Sequence, residues 1–306
     1  MPELELRAPT LEDLPELTEF FAAIEREWGH GGALEPEIRD WLTSPLQDPA
    51  EDFRVALTGG RIVGWSDLWD QNREHERLFL GARSHPRDLA VYRALLEWGE
   101  DHAERTANGA AGSLRCGAPS DDPLLAAELQ ERGYRPLRHF FTMAIGLDSE
   151  LPAPEWPGGI DARTFRGGDE QAFFDADTET FADHWDFVPI PYEDWNSYFV
   201  ETERFDPTLW FVAEDNAQLA GFAMCLNERR PNTGHVEVLG VRRPWRRRGL
   251  ARALLLHAFA EFKRRGRTRA DLGVDAENLT GAVRLYERTG MHVAHRFDAV
   301  EKKLNG

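Results

Sequence analysis

The chain has 306 residues, with 36 basic and 54 acidic side chains and a net charge of −18. It contains no run of about eighteen apolar residues, so no membrane span is predicted. The acidic balance opposes nucleic-acid binding, because neutralisation of phosphates drives that affinity. Cys116 and Cys225 lie far apart and no histidines show metal-ligand spacing, so neither a disulfide framework nor a metal site is expected. The opening residues lack a secretory signal, which favours a cytoplasmic location.

The first half alternates strand-like and helix-like segments. A strand at Leu4–Arg7 precedes an acidic amphipathic helix. A hairpin, a helix and a buried strand then follow, at Phe53–Leu57 with Arg61–Leu68, at Leu89–Arg105 and at Ser113–Cys116. This alternation predicts an α/β fold with a mixed sheet.

The midpoint of the chain is rich in proline. The stretch Asp148–Gly159 carries Pro152, Pro154 and Pro157 and ends in two glycines. Such a composition is typical of an extended, fairly stiff connector. We therefore expect two domains, residues 1–147 and 160–306, joined by a linker at 148–159.

Matching features recur in the two halves at one spacing. Gly64 corresponds to Gly221, and Gly133 to Gly290, each with a shift of 157 residues. Both halves also open with a strand-like run followed by an acidic helix. Equal shifts in separate places predict a tandem duplication of one domain, with convergence on a common α/β spacing as the alternative.

The second half repeats the pattern and adds a basic turn. Its hairpin is predicted at Trp210–Ala213 with Gln218–Asn227. The later elements are a strand, a basic turn, a helix, a strand and a helix, at His235–Val241, Arg242–Ala251, Leu250–Arg264, Ala270–Val274 and Thr280–Thr289. Gly266 is placed to end the first of these helices.

The basic turn has the chemistry of an anion site. Six arginines fall within the eleven residues 242–252, with no carboxylate among them. Gly249 stands where the helix begins, and the first N–H groups of a helix have no partners within it. Glycine also allows the close backbone approach that a diphosphate needs. A solvated basic face or a nuclear-localisation run is the alternative.

Two segments resemble the signatures of the GNAT superfamily of N-acyltransferases. Arg246–Ala251 is similar to the Arg/Gln-x-x-Gly-x-Gly/Ala loop, which in that family holds the pyrophosphate of acyl-coenzyme A. Asn278–Met291 is similar to the family segment that contains Asn, Leu-Tyr and a final Gly-Phe. Ala251 and Met291 depart from the pattern, and neither change removes a reacting group.

The resemblance implies acetyl-coenzyme A as the acyl donor and assigns roles to residues. Tyr286 matches the tyrosine that protonates the departing thiolate, and its alternative role is that of a core aromatic. Asn278 matches the asparagine that bonds the pantetheine arm, or else it is a turn residue. The donor-binding set is Leu239, Gly240, Val241, Arg246, Arg247, Arg248, Gly249, Leu250, Ala251, Arg252 and Asn278.

The general base has three candidates. An ammonium acceptor must lose a proton before it attacks a thioester. Glu237 is the first choice and His235 the second, and because they stand two apart on a strand they share one face. Ordered water is the third candidate, and both side chains could equally be ordinary polar positions.

An aromatic stretch lies between two helical runs of the second half. Residues 181–195 include Trp185, Tyr192 and Trp195, together with His184 and two prolines. In the GNAT family the loop between the first two helices borders the acceptor site, so these three aromatics are candidate substrate contacts. Packing between the halves is the alternative.

The first half lacks the corresponding chemistry. Its turn, residues 83–89, has no glycine, and Leu129 and Asp121 stand opposite Tyr286 and Asn278. Residues 1–157 hold 15 basic and 30 acidic side chains, against 21 and 24 in residues 158–306. We expect a degenerate first domain that supports the second.

The layout resembles that of the mycothiol synthase family, a tandem GNAT family that acetylates a cysteinyl-sugar. The predicted activity is direct transfer of an acetyl group from acetyl-coenzyme A to the amine of a small molecule, without a metal. The alternatives are acetylation of a cysteinyl-sugar and a non-catalytic acyl-coenzyme A binding or sensing module. The expected oligomeric state is a monomer or a homodimer.

Overall fold

A computed structural model describes residues 3–70, 73–85, 88–109, 112–120, 122–278 and 281–304. The chain divides into two compact units. The first unit is Met1–Phe140 together with His295–Gly306, and the second unit is Phe141–Ala294. The described residues contain no helix that is long and apolar enough to cross a membrane.

The first unit is a sheet covered by helices. Its elements in chain order are β1 (Leu4–Arg7), α1 (Leu14–Trp28), α2 (Glu35–Thr43), α3 (Pro49–Asp52), β2 (Phe53–Thr58), β3 (Arg61–Asp70), β4 (Arg77–Ser84), α4 (Leu89–Ala107), β5 (Ser113–Pro119), α5 (Pro123–Glu131) and the start of β6 (Arg135–Gly146). The strands follow the order β1-β2-β3-β4-β5, and only β4 and β5 are parallel among these pairs. The predicted hairpin, helix and strand are confirmed, with each helix or strand a few residues longer.

The second unit repeats this arrangement. After the end of β6 come β7 (Asp161–Thr164), α6 (Glu170–Phe181), α7 (Tyr192–Phe199), β8 (Trp210–Asp215), β9 (Gln218–Arg230), β10 (Thr233–Val241), α8 (Leu250–Arg264), β11 (Arg269–Asp275), α9 (Ala282–Arg288) and the start of β12 (His292–Lys303). The strand order is β7-β8-β9-β10-β11, with only β10 and β11 parallel among the pairs. The predicted helix at 280–289 is shorter than expected, and Thr280 lies outside the described residues.

The unit boundaries differ from the predicted ones because of strand pairing. The final strand β12 pairs with β5, from Phe297 opposite Pro119 to Lys303 opposite Ser113. Residues from His295 onward therefore belong to the first unit. The predicted division into a degenerate domain at 1–147, a linker at 148–159 and a catalytic domain at 160–306 stays a prediction.

An ion pair found in both units supports the duplication. Arg7 binds Asp13 with two hydrogen bonds of 2.7 and 2.6 Å, and Arg163 binds Asp169 with two of 2.6 and 3.1 Å. Each arginine lies on the first strand of its unit, and its aspartate follows six residues later. Because the side chains, their spacing and their hydrogen bonds all recur, convergence on a common α/β spacing does not explain the two ion pairs.

The two hairpins also turn in the same way. Gly59 and Gly60 both have positive φ, of 58° and 78°, and Asn216 and Ala217 have φ of 49° and 63°. Two-residue loops with positive φ at both positions twist in the sense that antiparallel strands require. The first half uses glycine for this conformation, whereas the second uses asparagine and alanine.

Two apolar clusters hold the second unit together. One lies under α8 and α9 and includes Phe259 and Phe262, both fully buried. The other lies under α6 and α7 and includes Phe173 and Trp210. Burial of apolar surface in the first cluster, which stabilises by about 25 cal/mol per Å², fixes α8 and therefore the turn that precedes it.

The linker is part of the second unit. Residues 150–157 form no helix or strand, and Leu151 and Trp156 pack against the cluster under α8. Lys263 of α8 donates a hydrogen bond of 2.7 Å to the carbonyl oxygen of Ser149. The linker is therefore anchored along one helix.

Both cysteines are buried free thiols. Burial raises the pKa of Cys116 to about 11, so this thiol stays protonated at neutral pH. Within the described ranges, no group of three or more histidine, cysteine, aspartate and glutamate side chains is placed to hold a metal ion.

Candidate active site

The start of α8 presents unpaired N–H groups to open space. Gly249 precedes the helix with φ of 94°, and no side chain caps it. The first helical bond runs from Ala253 N to Gly249 O, and the N–H groups of 247–252 donate to no acceptor that the structure describes. A Cβ atom on Gly249 would have no heavy atom within 4 Å. Arg247 also has positive φ, 65°, and such runs of backbone form concave anion sites.

Carboxylates on helix α6 and just after it hold the turn. Glu179 accepts from Arg242 Nε at 2.7 Å and from the backbone N–H of Arg243 at 3.0 Å. Asp183 lies 2.9 Å from Arg243 Nη2 and 3.6 Å from Arg246 Nη1. These pairs position the turn and neutralise part of its charge.

The remaining arginines divide into two groups. Arg248 lies 3.6 Å from Asp215, which also accepts a hydrogen bond from Trp245 Nε1 at 2.8 Å. Arg247 and Arg252 have no carboxylate partner within the part of the chain that the structure describes. Of the six arginines, these two therefore keep the most charge available for a bound anion.

The matching helix of the first unit is closed by its own carboxylate. Asp88 caps α4 and accepts a hydrogen bond of 3.2 Å from the N–H of Val91. A carboxylate at this point occupies one of the donors that α8 leaves open. Pro86 and Arg87 of this turn, and Asp121, lie outside the described residues.

Strand β10 separates from β11 near the turn. The two strands pair only from Thr233 to His235. Against β9 on the other side, a bulge lies between Val236 and Val238, and pairing continues to Val241. Beyond His235 the edge of β10 that faces β11 is therefore unpaired among the described strands, so Leu239, Gly240 and Val241 lie beside a gap. Bulges of this kind are frequent next to active sites.

Glu237 and His235 lie side by side, as their spacing predicts. Glu237 Oε2 is 3.3 Å from His235 Nε2 and 3.6 Å from Arg229 Nη1. The Glu237 side chain is 23% exposed, and it borders a cavity of about 20 Å³ that also touches Arg204 and Trp210. A cavity of this size has room for one water molecule.

His235 is held from behind by Asp271. The Nδ1 atom lies 2.5 Å from Asp271 Oδ1, and the two residues are direct partners in the parallel register of β10 and β11. Arg230 donates to the other oxygen of Asp271. His235 and Asp271 are 5% and 3% exposed, so this is a buried network.

The network sets the protonation of its members. Burial raises the pKa of Glu237, but the positive charge of Arg229 and the contact with His235 lower it by more than burial raises it. The net pKa of Glu237 therefore lies below its usual range. Burial and Arg229 lower the pKa of His235, whereas Asp271 and Glu237 raise it, and the net pKa rises. At neutral pH Glu237 is therefore ionised, and on its own it has a low affinity for a proton.

Tyr286 lies on α9 within the cluster under α8. It is 8% exposed, and burial raises its pKa to about 12. Its carbonyl oxygen accepts from Met291 N at 3.0 Å, just as that of Leu129 accepts from Tyr134 N at 3.0 Å in the first unit. These bonds place Leu129 opposite Tyr286, as the shift of 157 residues predicts. The core and donor roles of Tyr286 are compatible, since a buried phenol stays protonated at neutral pH.

Asn278 lies in the turn after β11. Its N–H donates to the carbonyl of Asp275 at 3.1 Å, and the side chain of Asp275 accepts from Glu277 N at 2.9 Å. Asn278 is half-buried, and its role toward a pantetheine arm stays a prediction.

The three aromatic acceptor candidates lie in different environments. Trp195 is 1% exposed and its indole N–H donates to Asp177 at 2.9 Å, so it is a core residue rather than a surface for substrate. Tyr192 packs at the edge of Phe174 and is half-buried. Trp185 is 38% exposed, so part of its side chain faces solvent.

Asp177 makes the stability of this region depend on pH. Burial raises its pKa to about 6, against about 3.9 in an unfolded chain. The folded state therefore binds this proton more tightly, and Asp177 costs stability as pH rises through the range of about 4 to 6. We expect Asp177→Asn to raise the Tm at about pH 7.5 and to lose that advantage below about pH 4. Equal Tm values for the two proteins at the higher pH would contradict this assignment.

The sequence pattern did not reveal Asp271 or Arg229. Asp271 stands in the short strand predicted at 270–274, whose apolar pattern assigns it no role. A charged residue inside an apolar strand needs a partner, and that is the signal that could have identified it. Arg229 lies near the end of the long strand β9, where nothing in the sequence marks it.

Comparisons with known proteins identify relatives of this chain. The profile of the Acetyltransferase (GNAT) family matches residues 171–291. A mycothiol acetyltransferase of Salinispora arenicola is 36% identical over 257 residues, covering 79% of this chain and 78% of that protein. The mycothiol acetyltransferase of Streptomyces coelicolor is 29% identical over 272 residues, covering 87% and 84%.

Solved structures match over the whole length. A GCN5-related N-acetyltransferase from Sphaerobacter thermophilus has a TM-score of 0.79 and 33% identity, covering 99% of this chain and 96% of that one. A tandem GNAT protein from the clavulanic acid biosynthesis pathway has a TM-score of 0.76 and 16% identity, covering 99% of both chains, which shows the shared fold. The repeated units, the open helix start and these relatives show that the chain belongs to the GNAT acetyltransferase family, as an acyltransferase of the tandem-domain type.

Proposed function

We propose that the chain transfers an acetyl group from acetyl-coenzyme A to the amine of a small molecule, in the second unit. The observation that carries this proposal is the open start of α8 at Gly249. Among the described residues, six successive N–H groups have no acceptor and two arginines have no carboxylate partner, and with the open space in front of the glycine they fit a diphosphate. In the first unit the side chain of Asp88 fills the same position.

The reaction needs no covalent enzyme intermediate. The amine attacks the thioester carbon once it has lost its proton, and the thiolate leaves with a proton from Tyr286. The gap between β10 and β11 supports binding of the thioester along Leu239–Val241, where backbone N–H groups can stabilise the oxyanion. Alignment of amine and thioester contributes much of the rate.

The acceptor that we propose is a cysteinyl-sugar. The relatives that match most of this chain are named mycothiol acetyltransferases. Ionised Glu237 borders a cavity with room for one water molecule, through which it can take the proton of the amine. A panel of amines that includes a cysteinyl-sugar tests this choice, and acetylation of other amines alone would contradict it.

Calorimetry with acetyl-coenzyme A tests the donor site. We expect one site per chain, with binding weakened about 100-fold or more in Gly249→Trp, because an indole would fill the space before α8. The φ of 94° adds backbone strain to any side chain at this position.

Gly266→Trp is the matched control. Gly266 follows the other end of α8, with φ of 82° and likewise no heavy atom within 4 Å of a Cβ. It carries the same strain away from the turn, so binding is retained. Two sites per chain would contradict the interpretation of the first unit, and absence of binding by the wild-type protein would overturn the proposed function.

A further inference from the structure

We propose that Asp271, His235 and Glu237 act as one proton-accepting unit, in which Glu237 receives the proton of the acceptor ammonium and passes it to Nε2 of His235. Asp271 is a positioning residue that holds the imidazole. This inference rests on the proposed function, and it replaces a choice between Glu237 and His235 with a single coupled group.

The orientation of His235 is fixed by its hydrogen-bond partner on β11. Its Nδ1 atom is 2.5 Å from Asp271 Oδ1, and Arg230 binds the second oxygen of that carboxylate. A carboxylate can only accept here, so Nδ1 carries a hydrogen. The proton that His235 gains or loses is therefore the one on Nε2, the atom that faces Glu237.

The Nε2 atom of His235 lies between Arg229 and Glu237. Arg229 Nη1 lies 2.9 Å away and Glu237 Oε2 lies 3.3 Å away. Neutral His235 accepts a hydrogen bond from Arg229, and protonated His235 donates toward Glu237. Glu237 Oε2 is enclosed and makes no hydrogen bond with any described group, so protonation of Nε2 supplies the donor that this oxygen lacks.

Charged side chains from three parts of the second unit surround His235 and Glu237. The groups that act on the pair are Arg229 and Arg230 of β9, Asp271 of β11, and Arg204, which lies before β8. Together they favour the proton on His235 over the proton on Glu237. A carboxylate of low proton affinity is a weak base for an ammonium. A carboxylate coupled to an imidazole can pass the proton on to the ring nitrogen, which binds it more tightly.

The proton balance of the step is complete. An N–H bond of the ammonium breaks, directly or through one water in the cavity beside Glu237, and an Nε2–H bond forms on His235. The freed electron pair of the amine forms the C–N bond, the C–S bond breaks, and the thiolate takes the proton of Tyr286. The second N–H proton of the attacking amine then leaves the nitrogen through solvent and restores the hydroxyl of Tyr286. His235 returns its proton to solvent before the next turnover.

The first arm of the test does not depend on turnover. Long-range ¹H–¹⁵N NMR of histidine-labelled protein, assigned with His235→Gln, reports the state of each ring nitrogen. We expect Nδ1 of His235 to stay protonated throughout, and Nε2 to titrate. Because Glu237 and Asp271 raise the pKa of His235, the titration moves to lower pH in Glu237→Gln and in Asp271→Asn. A titration that does not move in Glu237→Gln overturns the proposal.

The second arm uses turnover of an amine found in the panel. We expect Asp271→Asn to lower kcat by about 10-fold and to move the acidic limb of the rate profile to lower pH, with the KM for acetyl-coenzyme A unchanged. Asp161→Asn, which removes an exposed carboxylate of β7, leaves both unchanged. A loss of kcat without movement of the limb would show a merely structural role and contradict the proposal. If no amine reacts, the proposed function fails while the NMR arm still decides the coupling.

Discussion

Tyr286→Phe is expected to lower kcat by about 100-fold or more and to leave the affinity for acetyl-coenzyme A unchanged. The ring packs in the cluster under α8, and phenylalanine preserves that packing. The lost hydroxyl is the proposed proton donor to the thiolate. With a pKa raised to about 12, this phenol is protonated over the whole working range of pH. Steady-state kcat and calorimetric affinity, measured on the same preparations, separate the two effects.

Tyr134→Phe is the matched control for this prediction. Tyr134 belongs to the first unit, is 1% exposed, and has a hydroxyl that makes no hydrogen bond with a described group. Its loss is expected to leave kcat unchanged. If Tyr286→Phe retained more than about a third of the wild-type kcat, the assignment of the general acid would be wrong.

Phe259→Ala is expected to lower the free energy of unfolding of the second unit by about 3 to 5 kcal/mol. Phe259 is fully buried on α8, and its truncation leaves a cavity between the helix and the sheet. Because this packing fixes the helix whose start carries Gly249, affinity for acetyl-coenzyme A should fall with stability. Denaturant unfolding in the presence and absence of acetyl-coenzyme A measures both.

Ala260→Gly provides the comparison on the same helix. Ala260 is exposed, so its substitution changes only helix propensity, by about 1 kcal/mol. A cost of Phe259→Ala no larger than that of Ala260→Gly would show that α8 does not depend on this core.

The donor loop illustrates what a local pattern can predict. The bounds predicted for α8, Leu250–Arg264, agree with the structure, because apolar spacing and the glycines at 249 and 266 are local signals. The open start of that helix also follows from local sequence, since no capping side chain precedes it. The pairing of four arginines with Glu179, Asp183 and Asp215 did not follow, because these carboxylates come from other elements.

The sequence by itself determined the duplicated α/β fold, the basic turn before α8 and the neighbouring positions of His235 and Glu237. Each of these depends on periodicity or on residues close in the chain. Only the tertiary structure decided that Asp271 lies behind His235, because that contact depends on the parallel register of β10 and β11. It also decided that Trp195 belongs to the core and that β12 pairs with β5. Contacts between distant segments are set by packing and strand register, which no local pattern records.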